Sequence, residues 1–193
     1  MSNETIKKNF VDQAIFFLKK NIKVLITTSV VVFIFLLIFL FYNNLQEKKY
    51  IKLAEQYTKA SILLKQKKLE ESKFILENII SKDHQIYSPL ALYLIIDNQL
   101  ETETSKIILF FNKIIKIKSI DKENLNLIKI KKAIYLFDTD EEELIIKTLN
   151  PIINSESVWS KLSIQLISDY FLSRNQSSKA DEYMQLLKNK KKD

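Results

Sequence analysis

The chain has 193 residues and a formal net charge of +7, with no Cys, no Gly and one His. Without Cys there is no disulfide framework, thiolate nucleophile or sulfur-based zinc site, and without Gly the phosphate loops, dinucleotide fingerprints and nucleophile elbows that need unusual backbone conformations are removed together. The charge sits at the ends, +3 over Met1–Lys23 and +3 over Lys188–Asp193, and every basic residue except Arg174 is Lys, which argues for a solvated surface rather than nucleic-acid binding.

Residues 1–23 read as a basic cytoplasmic tail. Within it Asn9–Lys20 carries Phe10, Ala14 and Phe17 on one helical stripe and Val11, Ile15 and Leu18 on the next. This suits either a short helix in the headgroup region or an extension of the helix that follows.

Val24–Tyr42 contains no charged residue. At about 1.5 Å per residue it is roughly 28 Å long, enough for a hydrocarbon core of about 30 Å, so a transmembrane helix is expected over 24–42. The exit, Phe41-Tyr42-Asn43-Asn44, lacks the small residues of a signal-peptide cleavage site, and the span reads as a retained anchor. Lys7, Lys8, Lys19, Lys20 and Lys23 before it nearly balance Lys48, Lys49, Lys52 and Lys59 after it. The crowding of Lys19, Lys20 and Lys23 at the membrane edge tilts the N-terminus toward the cytoplasm.

From 45 to 190 apolar residues recur at helical spacing, with no run of strand-like alternation. A first body helix carries Tyr50, Leu53, Ala54, Tyr57, Ser61 and Leu64 on one face, and a second, Leu69–Ser81, aligns Ser72, Ile75, Leu76 and Ile79. Ser88 and Pro89 fit a cap and first residue for a third, Leu90–Ile96, apolar nearly all round and so central. A fourth covers about Glu103–Lys118 and buries Ile107, Phe111 and Ile114, and a fifth runs from Asp121 to near Phe137.

Thr139 to Glu142 has the capping-box form for a sixth helix, which Pro151 is expected to stop. A seventh covers Val158–Ser173 with Trp159, Leu162, Leu166 and Tyr170 inward, and an eighth, from about Ser178, presents Ala180, Tyr183, Met184 and Leu187. Trp159 and the tyrosines at this spacing read as core rather than peptide-gripping groups. His84 reads as a solvated loop side chain, and Glu141, Glu142 and Glu143 as a helix start favoured by the macrodipole.

These helices pair into four hairpins beginning near Leu45, Ile86, Asp121 and Ser157, at intervals of 41, 35 and 36 residues. That approaches the tetratricopeptide period of about 34. Ile164, Ile167, Ser168, Phe171, Ala180, Met184 and Leu187 follow the size pattern by which that repeat interlocks its helices. The fold class is therefore all-α: one N-terminal transmembrane helix, then an α-solenoid of about four degenerate tetratricopeptide-like hairpins. In the usual geometry of the last repeat, Gln165 and Asp169 point into a protein-binding groove.

The span exit into Gln46–Ala60, the runs Tyr57–Ser72 and Tyr87–Leu94, and Trp159–Tyr183 together resemble the YfgM-type inner-membrane proteins, ancillary subunits of the SecYEG translocon. The resemblance implies a cytoplasmic N-terminus and a periplasmic body that contacts the translocon, periplasmic chaperones or emerging secreted chains. No catalytic constellation, cofactor or metal site is expected, and the chain reads as a scaffold rather than an enzyme. A cell-envelope assembly, division-coordination or transmembrane regulatory protein would use the same architecture.

Overall fold

The computed structural model describes Phe16 and residues 20–139 and 141–189. The expected tail helix over Asn9–Lys20, apart from Phe16 and Lys20, lies outside the described residues, as does Lys19. The helices are α1 (Ile22–Lys65), α2 (Leu69–Ser81), α3 (Tyr87–Asp97), α4 (Thr104–Ile115), α5 (Lys122–Tyr135), α6 (Glu142–Ile153), α7 (Ser160–Ser173) and α8 (Ser177–Asn189). No strand occurs among the described residues. The chain divides at Lys52 and Leu53 into two units.

In the N-terminal unit the described backbone is helical from Ile22 onward. The expected span and first body helix are one element of 44 residues, because no Pro or Gly interrupts the stretch between them.

In the second unit each helix packs chiefly on its sequence neighbours, the pairs α2–α3 and α7–α8 most extensively, as stacked repeats require. One spacing recurs in all four hairpins. Ala60 and Ser72, Ile95 and Ile107, Ala133 and Ile145, and Ser168 and Ala180 are each twelve residues apart, and all eight are at most 1% exposed. Each second helix starts nine residues after the first member of its pair, at Leu69, Thr104, Glu142 and Ser177. In the first, third and fourth hairpins at least one member of the pair is small, which permits a close approach; the second pairs two Ile side chains.

The turns separate the outer hairpins from the inner ones. The first helix of hairpins one and four ends five residues after that reference position, at Lys65 and Ser173, and the middle two end after only two, at Asp97 and Tyr135. Lys67, Gln99 and Asn175 follow these ends with φ of 59°, 50° and 58°. Behind them Lys68, Leu100 and Gln176 donate N–H bonds to Leu63, Ile95 and Phe171 at 2.9–3.0 Å, closing the helix ends with a left-handed residue that a Gly-free chain must supply otherwise.

The core forms two clusters that meet on α5, where Ile128 belongs to the first and Ile130 to the second. Tyr135 packs against both and tilts toward Phe111 at 6.2 Å. Ile107, Phe111 and Ile114 are fully buried, as the apolar spacing of α4 predicts, and so are Leu76 and Ile79 of α2.

Several local expectations are corrected. Ser88 does not cap α3, which begins at Tyr87. Its hydroxyl instead accepts from His84 N–H at 2.9 Å and donates to Ile79 O at 3.1 Å, tying α3 to α2. The cap is the His84 ring: Nδ1 accepts from the N–H groups of Ile86 and Tyr87 at 3.1 and 3.2 Å, so this side chain is a structural acceptor rather than a solvated one.

Thr139 does not cap α6 either. Its hydroxyl donates to Leu136 O at 2.7 Å, and Glu142 turns toward α8, where it accepts from Lys179 at 2.7 Å. Pro151 lies inside α6, which runs on to Ile153 because Ile152 and Ile153 are buried and the Ser160 hydroxyl donates to the terminal Ile153 carbonyl at 2.8 Å.

On α7 the buried face is rotated from the expected one. Tyr170 is buried, Trp159 and Leu166 are half-buried and Leu162 is exposed, whereas Ser160, Ser163, Ile164, Ile167, Ser168 and Phe171 fill the interior. Small hydroxyl residues face inward here because α8 packs closely enough for Ser168 to reach its backbone. Met184 on α8 is correspondingly exposed rather than buried.

Candidate membrane anchor and protein-binding surfaces

Ile22–Phe41 is a 20-residue segment of mean hydropathy 3.0, long and apolar enough to cross a membrane, and none of it is buried within the chain. Phe35 and Phe41 are 74% and 68% exposed. The polar residues near its start do not break this character. Thr27 Oγ1 donates to the carbonyls of Lys23 and Val24 at 3.0 and 2.9 Å, and Thr28 Oγ1 donates to Val24 O at 2.8 Å. Such back-bonding satisfies the hydroxyls without a partner from outside the helix. Lys20 precedes the segment and Lys23 is its second residue, and both are exposed.

On α7 Gln165 and Asp169 are both exposed and one turn apart. The structure adds Leu162 and Leu172 to the same stripe, 40% and 52% exposed. Positions 162, 165, 169 and 172 advance by three and four residues, so apolar ends enclose a polar centre on one helix face. Assigning Leu162 to the core hid this stripe in the sequence; the spacing itself was visible.

A second recessed surface lies along α4. A groove of about 820 Å³ is lined by Leu109, Asn112 and Lys113 of that helix and by Lys116, Ile117 and Lys118 just after it, with Asp83 opposite. Asp83 pairs with Lys113 at 3.1 Å. Behind the wall Lys132, 4% exposed, donates to Asn112 Oδ1 at 2.8 Å. Burial, followed by repulsion from Lys147, lowers the Lys132 pKa.

Between α2 and α4 the charges are mutually satisfied instead. Glu101 holds Lys73 at 3.1 Å and Lys106 at 2.9 Å, and Lys106 also holds Glu77 at 2.8 Å. Glu101 Oε1 accepts the N–H groups of Thr102 and Glu103 at 3.0 Å. The Glu103 amide first, then the two lysines, depress its pKa to about 2, while Glu77 and Glu101 raise that of Lys106.

Among the described residues no three His, Asp or Glu side chains converge in a way that could hold a metal ion. No protein-family model, curated protein or solved structure matches the chain.

Proposed function

We propose that this chain is a membrane-anchored helical-repeat scaffold that binds proteins at the outer face of the inner membrane, as a translocon-associated or periplasmic chaperone-network component. The observation that carries this reading is a chain joining an apolar helix of membrane-crossing length to stacked hairpins with an exposed stripe from Leu162 to Leu172. The likeness of its segments to YfgM-type proteins supports the translocon assignment.

Its action is adhesion without chemistry. The anchor raises the effective concentration of the repeats for membrane-bound partners, and the stripe offers Leu162 and Leu172 as apolar contacts around the amide and carboxylate of Gln165 and Asp169. Lys19, Lys20 and Lys23 lie at the cytoplasmic edge in this reading, near anionic headgroups.

The test is protease access combined with partner recovery. Protease added to intact spheroplasts is expected to digest the repeats while leaving the anchor, and a crosslinker at Gln165 is expected to trap a translocon or chaperone subunit. Protection of the repeats refutes the outer-face location. A Gln165→Ala, Asp169→Ala protein that folds and recovers its partners undiminished removes the stripe as the contact.

A further inference from the structure

The α4 groove carries charge in a way that the ion pairs between α2 and α4 do not. Of its three lysines only Lys113 has a carboxylate partner, Asp83; Lys116 and Lys118 have none within 4.0 Å among the described residues. Lys132 behind the wall likewise has no carboxylate and relies on the neutral Asn112 Oδ1. That bond orients the amide, setting its oxygen toward the ammonium and leaving both N–H donors uncommitted to Lys132. The groove thus presents donors and cations, and its one acid is already paired.

The walls narrow the ligand class. Leu109 is 62% exposed, whereas Ile117 belongs to the core and is 8% exposed, so Leu109 is the apolar wall beside the positive rim. Reading or stacking the bases of a nucleic acid would call for Arg forks or aromatic platforms, and the lining contains neither. Carboxylates flanking an apolar side chain match both features, and they complement charges that the fold leaves uncompensated.

We propose that the α4 groove receives an acidic peptide segment of a partner protein, its carboxylates taken up by Lys116, Lys118 and the Asn112 amide and its apolar side chain seated on Leu109. This rests on the scaffold reading and names the chemistry of one partner. The site is separate from the α7 stripe, so the two surfaces can fail independently.

The test uses the full chain in phosphatidylcholine nanodiscs and fluorescein-labelled peptides of Glu with Leu, Gln with Leu, and Lys with Leu, with empty nanodiscs as background. Only the Glu peptide is expected to bind. Lys116→Glu with Lys118→Glu is expected to weaken it about tenfold or more. Lys161→Glu with Lys188→Glu, an equal change of net charge at distant exposed lysines, is expected to leave it within about twofold. Asn112→Asp gives Lys132 a carboxylate, so the protein keeps its fold, yet it adds negative charge to the wall and is expected to reduce binding.

Equal losses from the two double variants would show diffuse attraction and overturn the proposal. So would unaltered binding by Asn112→Asp, or phosphatidylglycerol vesicle binding that needs Lys116 and Lys118 when the Glu peptide does not bind. Loss of the groove with trapping at Gln165 intact leaves the scaffold reading standing; loss of both removes it as well.

Discussion

Ser72 Oγ donates to the carbonyl of Ala60, twelve residues earlier on the preceding helix, at 2.9 Å. In the last hairpin the same bond appears with the residues exchanged: Ser168 on the first helix donates to Ala180 O on the second, at 3.2 Å. Both bonds are buried, and both hairpins use one methyl and one hydroxymethyl where their helices cross.

Ser72→Ala and Ser168→Ala should each cost about 1 kcal/mol, at the lower end for a buried hydrogen bond, because the carbonyl released is that of a helix residue. Ala60→Leu should cost more, about 1–3 kcal/mol, since added volume forces the helices apart. The urea midpoint of the full chain, read from the fluorescence of Trp159, the one Trp in the sequence, checks both. Equal effects of Ala60→Leu and Ser72→Ala would refute the close crossing.

Lys67 and Asn175 are left-handed residues at equivalent turns, with φ of 59° and 58°. Lys67→Gly should stabilise the protein by about 0.5–1 kcal/mol, the relief of the Cβ clash less the greater entropy of Gly when unfolded. Asn175→Gly should gain less, since Asn tolerates this region. A fall in the urea midpoint for Lys67→Gly contradicts this account.

Glu101 is held at about 2 against an ordinary 4.5. A depressed carboxylate contributes stability that is present above 4.5 and is lost as pH falls through about 2. Glu101→Gln should therefore lower stability at neutral pH and flatten its decline between these limits. Urea midpoints of both proteins across that range supply the comparison; parallel curves would remove Glu101 as the source.

His84 loses its contribution in the same direction, but here the favoured form is the neutral one. Burial lowers its pKa from 6.5, and protonating Nδ1 would remove the acceptor for Ile86 and Tyr87. The neutral ring therefore contributes stability that is full above 6.5 and falls as pH drops below that value. His84→Asn, which retains a capping acceptor, should preserve neutral stability while removing this dependence. The ring titration followed by NMR should have its midpoint below 6.5.

Ser157 Oγ donates to Glu123 Oε2 at 2.6 Å and accepts from Asn126 Nδ2 at 3.1 Å, joining the α6–α7 turn to α5. Ser157→Ala leaves the buried Asn126 amide short of an acceptor and should cost about 1–3 kcal/mol. Asn126→Ala with Ser157→Ala should cost less than the sum of the single changes, which a double-mutant cycle measures.

Helix identity was legible throughout the second unit because its signal is local. The apolar spacing of α2 and α4 directly identifies Leu76, Ile79, Ile107, Phe111 and Ile114 as core. Helix starts were less legible. His84 caps α3 although the nearby Ser88 and Pro89 carry the familiar signature, and Thr139 satisfies a carbonyl in its own turn while α6 starts later. Of the α7 stripe, Gln165 and Asp169 could be read but Leu162 and Leu172 could not, since periodicity gives equal weight to two adjacent apolar faces.

Alone, the sequence determined the all-helical class, the apolar segment of membrane-crossing length and the approximate period of the hairpins, all of which depend on residues close together in the chain. Only the tertiary structure decided which face of α7 turns inward, that Pro151 sits within a helix, and that Lys132 reaches Asn112 behind a groove in which only Lys113 has a carboxylate partner. Those outcomes depend on which neighbour helix arrives and how closely it packs. The crossings at Ser72 and Ser168 show why: a hydroxyl bond over twelve residues exists only when two helices have already met.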